Sequence, residues 1–374
     1  MRRLIISALA ATLAVLPTPA LAETKALTGE ESRYPHAIRL EHGPNRGDVL
    51  VTLDRWQTVD ILRANRQGKK FKKIASFSDA LATHVQCCGH LYELPQQVGD
   101  MPAGTVLWSG TVGLRAEIMR ARIWRSFDAG ETWEYLSECA TADNLAGLWE
   151  PELSVDARGR LNCYFSDESL KGHSQYIGRT HSTDGVRWSA KEKIVAVQPG
   201  WYRPGMPHVK KLPTGEYYLS YEMCGPPKTF CEAVRRISKD GVDWGDPAAY
   251  GTRQVAVSGK YFLHTPSITL APNGTPQGRM ILIGQVLVGP DGKIDPGNGR
   301  TMFVSDSGGK GGWYEAPAPV EVPKASDEHC RHFHPTAVAS LDGRSIIQFA
   351  SDYTADESAC VTSWGTGSLP PFPS

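Results

Sequence analysis

The chain has no surplus of either charge. Only 21% of its 374 residues are charged, and 40 Lys+Arg balance 40 Asp+Glu. A basic field able to hold a nucleic-acid backbone is therefore excluded as an expectation. Past the N-terminal segment, no apolar run approaches the length of a membrane-spanning helix. Short-range metal motifs are missing too: there is no CxxC pair and no HExxH. No metal site and no cofactor is expected. Nor does any linker or low-complexity stretch divide the chain, apart from a tail after Trp364 with Pro370, Pro371 and Pro373 that reads as unstructured. One domain is expected over residues 23–374, a length that all-β rings often reach without dividing.

What is present is turn-forming and aromatic. Glycine (37), proline (26), tyrosine (13) and tryptophan (10) suit many short strands joined by tight turns. Residues 1–22 read as a signal peptide: Arg2-Arg3, an apolar run from Leu4 to Leu16, then Ala20-Leu21-Ala22. A soluble product, secreted or periplasmic, is the expectation. All eight cysteines follow that segment, an even count that fits disulfides in an oxidising compartment. Cys224 and Cys231 bracket a Gly-Pro-Pro loop and are one candidate pair, while the adjacent Cys87 and Cys88 have no evident reason to be neighbours.

Two patterns repeat. In the first, a proline is followed eight positions on by a turn glycine and then a β-rich run: Tyr34-Pro35…Gly43, Glu150-Pro151…Gly159, Met206-Pro207…Gly215, Thr265-Pro266…Gly274 and His334-Pro335…Gly343. In the second, Ser126-Phe-Asp128-Ala-Gly130-Glu-Thr-Trp133 recurs as Ser182-Thr-Asp184-Gly185-Val-Arg-Trp188 and Ser238-Lys-Asp240-Gly241-Val-Asp-Trp244. A degenerate copy runs from Ser305 to Trp313. These aspartates are expected to cap hairpin turns and to do no chemistry. Units starting near Arg33, Cys88, Trp149, Arg203, His264 and Phe333 imply six four-stranded antiparallel sheets closed into a β-propeller, with five blades as the other count.

In such a ring the residues before each repeat proline should face the channel mouth: Arg33 and Tyr34, Trp149 and Glu150, Gly205 and Met206, His264 and Thr265, Phe333 and His334. Glu222 ends the strand Tyr217–Tyr221, which returns toward the same end. Two carboxylates among aromatic rings suit glycoside hydrolysis. Trp149, Tyr34 and Tyr221 are candidates to stack on a sugar, and Arg33, Arg203, His90, His173, His264 and His334 to bind hydroxyls. Each has a structural reading as well: an arginine that buttresses a carboxylate, or a histidine that packs a loop. Asp167 fits a turn cap as well as it fits a modulator of a catalytic group.

The turn repeats and Arg33-Tyr34-Pro35 resemble the sialidase-like propeller superfamily. More narrowly, the chain resembles glycoside hydrolase family 93, the exo-arabinanases. The likeness rests on Gly89-His90-Leu91-Tyr92-Glu93-Leu94-Pro95, Trp149-Glu150-Pro151, Cys163 to Glu168, Lys171-Gly172-His173-Ser174-Gln175, Arg203-Pro204-Gly205-Met206-Pro207 and Lys211 to Glu222. The last two units match only through the general repeat. The resemblance implies a retaining enzyme that releases a disaccharide from the non-reducing end of linear α-1,5-arabinan. It places the family's two glutamates on Glu150 and Glu222; Glu150 is assigned as acid/base and Glu222 as nucleophile, while neither spacing nor strand position separates the two jobs. The expected partner is a polysaccharide or oligosaccharide, and a monomer suffices. Three alternatives remain open: a sialidase, which needs an arginine trio and a tyrosine nucleophile; another exo-glycosidase of the same superfamily that acts on a different plant or bacterial glycan; and a non-catalytic propeller lectin.

Overall fold

A computed structural model describes residues 24–82, 86–113, 117–226 and 230–371. The expected signal peptide lies outside them. The described chain contains strands and no helix. It forms six antiparallel sheets, built for the most part from strands that follow one another in the chain. The first blade holds Arg33–Arg39, Val49–Asp54, Val59–Ala64 and Lys72–Phe77, and the next two repeat this plan from Gln86 and Leu148. The fourth begins with Arg203–Lys211, Tyr217–Cys224 and Glu232–Ser238. It departs from four strands, because Tyr261–Leu263 and Val286–Val288 extend its sheet and Thr252–Arg253 adds a short pairing. The fifth starts at Ser267. The sixth takes its outermost strand from the other end of the chain: Lys25 and Ala26 pair with Trp364 and Ser363, which closes the ring.

The tail is more ordered than its prolines suggest. The last strand runs to Ser368, Leu369 is buried, and the Arg279 guanidinium donates to the Pro370 and Pro371 carbonyls at 2.6 and 3.2 Å. Backbone carbonyls remain acceptors in a proline-rich segment, and Arg279 uses them.

Each junction between neighbouring blades has its own apolar layer. Leu50 and Ile61 meet Leu91 and Trp108 between the first two, and Val49 and Val51 meet Ile347, Phe349 and Trp364 where the last meets the first. Alternation along each strand puts one face toward each neighbour, so both faces are apolar. The turn repeats behave as expected. Ser126, Ser182 and Ser238 hydroxyls each bond the aspartate two residues on, and Asp184 Oδ1 accepts the Val186 and Arg187 N–H groups at 2.9 and 2.8 Å. The degenerate copy differs, because Asp306 clamps Arg279 instead at 2.6 and 2.9 Å.

All eight cysteines are paired: Cys87–Cys88, Cys139–Cys163, Cys224–Cys231 and Cys330–Cys360. The second joins the outer strand of one blade to the next blade.

One feature of the inner strands decides what the channel contains. In the first four blades the register slips between Arg33 and His36, Cys87 and His90, Trp149 and Glu152, and Gly205 and His208. At the equivalent place in all six blades a non-glycine residue has positive φ: Tyr34 (50°), Cys88 (60°), Glu150 (51°), Met206 (52°), Thr265 (42°) and His334 (51°). A left-handed residue in a bulge re-aims its side chain and stores about 1–3 kcal/mol of strain, which the surrounding ring must hold.

Candidate active site

The bulges crowd these residues at one end of the channel, around a cavity of about 560 Å³. Glu150 and Glu222 both line it, with Arg33, Tyr34, Trp149 and Arg203 from the sequence candidates. Glu150 Oε2 accepts the Ser166 hydroxyl at 2.7 Å, and Ser166 Oγ in turn accepts the Met206 N–H at 3.0 Å. Gly205 makes this close approach possible, since a Cβ there would lie 2.3 Å from Gln175 Nε2 and 3.3 Å from Ser166 Oγ. Glu222 Oε2 accepts the Thr265 N–H at 3.0 Å. Each carboxylate is thus held partly by the bulge of the following blade.

Removal from water pushes both carboxyls up, Glu150 to about 7 and Glu222 to about 8. The hydrogen bonds just named and Arg203 work in the opposite direction. Nearby negative charge adds to the rise: Glu168 acts on Glu150, while Glu150 and Asp327 act on Glu222. Asp54, which also lines the cavity, is pushed up to about 7 by burial even though it accepts the Cys88 and Gly89 N–H groups.

Arg203 is already occupied. It donates to Glu168 at 2.6 Å, to Gln175 Oε1 at 2.7 Å and to the Ser174 carbonyl at 3.0 Å. It therefore buttresses the wall and leaves positive potential facing the two glutamates. Arg33 lies over the Trp56 ring at 4.3 Å and pairs with Glu31.

Five sequence candidates do not line the cavity. Tyr221 is fully buried between blades and its hydroxyl donates to the Tyr250 carbonyl at 2.8 Å. Strand alternation requires this: with Glu222 facing the mouth, its neighbour faces away. His173 sits on a loop against Gln198. His90 and His334 are buried beneath the floor, where His334 stacks on Tyr34 with ring centroids 3.9 Å apart. His264 lies behind Glu222, its Nδ1 3.9 Å from Glu222 Oε2 and its Nε2 3.4 Å from Asp327.

Sequence reasoning missed the wall contributed by Asp54, Trp56, Glu168, Gln175, His329 and the Cys87–Cys88 disulfide. Asp54 ends the strand paired with the first bulge, just as Glu222 ends the strand paired with the fourth. That shared position, Arg33↔Asp54 and Gly205↔Glu222, was the available signal. The adjacent cysteines are explained by place: they occupy the second blade's bulge and present a compact apolar surface to the cavity.

A second cavity, about 670 Å³, opens among the other ends of the inner strands, with Lys210, Lys211, Glu41 and Glu93 on its wall. Glu93 there already accepts the Glu41 and His42 N–H groups. Burial pushes Glu93 up as well, but the paired candidates Glu150 and Glu222 line the first cavity.

Fold and site together define a six-bladed propeller with an acidic, aromatic-walled mouth. No protein-family profile matches the chain, and no curated protein matches it. Solved structures do. The α-L-arabinanase of Penicillium chrysogenum, solved with arabinobiose, superposes with a TM-score of 0.77 at 24% identity, over 94% of this chain and 99% of that one. The family 93 α-L-arabinofuranosidase of Fusarium graminearum, also solved with arabinobiose, gives 0.75 at 23% identity, over 91% and 93%. A protein of unknown function from Dyadobacter fermentans gives 0.63 at 12% identity, over 94% and 98%. The chain shares the fold of these proteins over more than nine-tenths of its length.

Proposed function

We propose that the protein is a glycoside hydrolase acting on arabinan, a retaining exo-α-1,5-L-arabinanase that releases arabinobiose, with Glu150 and Glu222 as its catalytic pair. The observation that carries this reading is that the two carboxyls line one cavity, Glu222 held by an N–H of the next blade and Glu150 by a hydroxyl that the next blade fixes. The bound arabinobiose of the two similar structures supports the substrate class.

The chemistry follows from proton sharing. With both groups raised and mutually repelling, the pair retains a proton near neutrality that isolated carboxyls would lose. The protonated member donates to the leaving glycosidic oxygen. The ionised member attacks the anomeric carbon, forming a glycosyl ester, and the first group then takes a proton from the water that hydrolyses it. Glu150 is assigned the acid/base role and Glu222 the nucleophile. Trp149 and the disulfide offer apolar surface to a sugar face, and Arg33 supplies hydrogen-bond donors. Tyr34 forms the floor. One chain supplies this whole wall, so a monomer suffices. Four disulfides and the N-terminal signal pattern support export.

The sialidase alternative has less support. The described cavity wall holds two arginines, Arg33 and Arg203, both already paired with protein carboxylates. Burial and the surrounding carboxylates push the Tyr34 hydroxyl well above its ordinary value, the wrong direction for a phenolate nucleophile. A lectin would place equivalent pockets around the ring, whereas the mouth residues differ in every blade. Incubation with linear arabinan, other pectic glycans and sialyl-lactose tests the reading. Arabinobiose as the early product supports it, and free sialic acid or no product from any of them refutes it.

A further inference from the structure

Beneath the Tyr34 floor the channel is plugged by histidines. The residue two positions beyond each bulge points into it: His36, His90, Glu152, His208, Ser267 and Thr336, all buried. His334 enters from the level above. Ring centroids of His90, His208 and His334 lie 4.9–5.2 Å apart. His334 Nε2 is 3.3 Å from His90 Nε2 and 3.0 Å from His208 Nε2.

The hydrogen bonds behind the rings fix what these nitrogens present. His90 Nδ1 faces the Pro151 carbonyl at 3.1 Å, and His334 Nδ1 faces the Pro35 carbonyl at 3.1 Å. A carbonyl oxygen demands a donor, so both Nδ1 atoms carry hydrogen and both Nε2 atoms present lone pairs. Two lone pairs therefore confront each other across 3.3 Å in a dry interior. His208 Nδ1 has no hydrogen-bond partner, so nothing prevents its Nε2 from presenting a third. A proton can relieve one such contact but not all of them, and burial disfavours an imidazolium here. A cation relieves them together. Three imidazoles around a tetrahedral ion at about 2.0–2.1 Å place their nitrogens ~3.3 Å apart. The backing carbonyls are the outer partners that metal-bound histidines ordinarily have. Glu152, whose donor atom lies within 4.8 Å of those of His36, His90 and His208, offers a carboxyl oxygen beside them.

We infer that His90, His208 and His334 form a nitrogen-rich site for a divalent late first-row ion such as zinc, which ties three blades together beneath the Tyr34 floor. Its role is structural. The ion adds a further tie between inner strands that hydrogen bonds such as Val209 N–H to Glu152 Oε1 already link, and it fixes the His334 ring on which Tyr34 lies. The other cluster of metal-type ligands, Glu222, Cys224, Cys231 and His264, is unsuited, because both cysteines are in a disulfide. The inference contradicts the expectation of no metal drawn from missing short motifs, and it does not rest on the glycosidase reading.

The test uses untagged, disulfide-intact protein without any assay of turnover. After dialysis against a chelator, the protein is titrated with Zn2+ and with Co2+, following metal content, Tm and the visible spectrum. The expected result is one ion per chain and a Tm rise that saturates at one equivalent. Co2+ should give d–d bands without thiolate charge transfer. His208→Gln and His334→Gln should each lose the bands, and if either fails to fold, the wild-type titration decides alone. Substoichiometric binding with no Tm change, or bands that persist in folded variants, would overturn the site.

Discussion

The Thr265 N–H donates to Glu222 Oε2 at 3.0 Å, across the junction between the fourth and fifth blades. Glu150 is held in the same manner, because the Ser166 hydroxyl that binds it is fixed by the Met206 N–H of the fourth blade. The bulge of one blade thus positions the carboxylate of the blade before it. The predictions below rest on that arrangement.

Glu150→Gln and Glu222→Gln should each lower kcat on arabinan by about 10³-fold or more, since proton transfer by a placed group alone is worth about 10²–10⁴. Circular dichroism and Tm should be essentially unchanged, because glutamine keeps the shape and removes the repulsion between the pair. The roles separate with an aryl arabinoside that needs no proton to leave. Glu150→Ala should retain most of its first-step rate on that substrate, and Glu222→Ala should not.

The pH profile should be bell-shaped and displaced upward. The active pair holds one proton: below about 7 both carboxyls carry one and above about 8 neither does, so kcat/KM should peak near neutrality rather than near pH 4–5. Stability carries the same signature with its own sign. The folded state holds protons that an unfolded carboxyl, at its ordinary value of 4.5, has released, so stability falls as pH rises from about 4.5 to about 8. In the double glutamine variant Tm should fall less between pH 5 and pH 8 than in wild type. An equal fall would show that neither group titrates abnormally.

Ser166→Ala removes the hydroxyl that favours ionised Glu150. The Glu150 carboxyl should then rise further, moving a limb of the profile to higher pH. The lost buried hydrogen bonds should cost about 1–3 kcal/mol in denaturant unfolding. An unshifted limb with lowered stability would mean that Ser166 only packs the wall.

Replacing Cys87 and Cys88 together by serine removes apolar surface from the cavity and frees a left-handed turn. KM for arabinan should rise about fivefold, a loss near 1 kcal/mol, with kcat changed less. A large fall in kcat at unchanged KM would show that the pair does not touch substrate.

Much of the fold was legible because a repeat multiplies a weak signal. One Ser-x-Asp turn says little, but three copies with aspartates equally spaced at Asp128, Asp184 and Asp240 declare a ring. What stayed hidden was short or non-local. A two-residue strand at Lys25–Ala26 has no period to read, and the strands added to the fourth sheet fall outside the repeat. Tyr221 was misplaced because an aromatic beside a catalytic candidate was judged by its chemistry and not by strand alternation. The histidine plug escaped a search for short metal motifs because each blade contributes one residue. Its trace was nonetheless present, since residues just past the repeat prolines read His36, Glu152, His208, Ser267 and Thr336. The bulge sends the residues before those prolines to the mouth and the ones after them into the channel.

The pairing of Glu150 and Glu222 as acid/base and nucleophile is tested most directly by proton NMR of linear α-1,5-arabinan during the first minutes of cleavage. The account predicts α-configured arabinobiose ahead of mutarotation, formed by wild type and by neither Glu150→Gln nor Glu222→Gln. A first product of β configuration, or undiminished release by either variant, would contradict it.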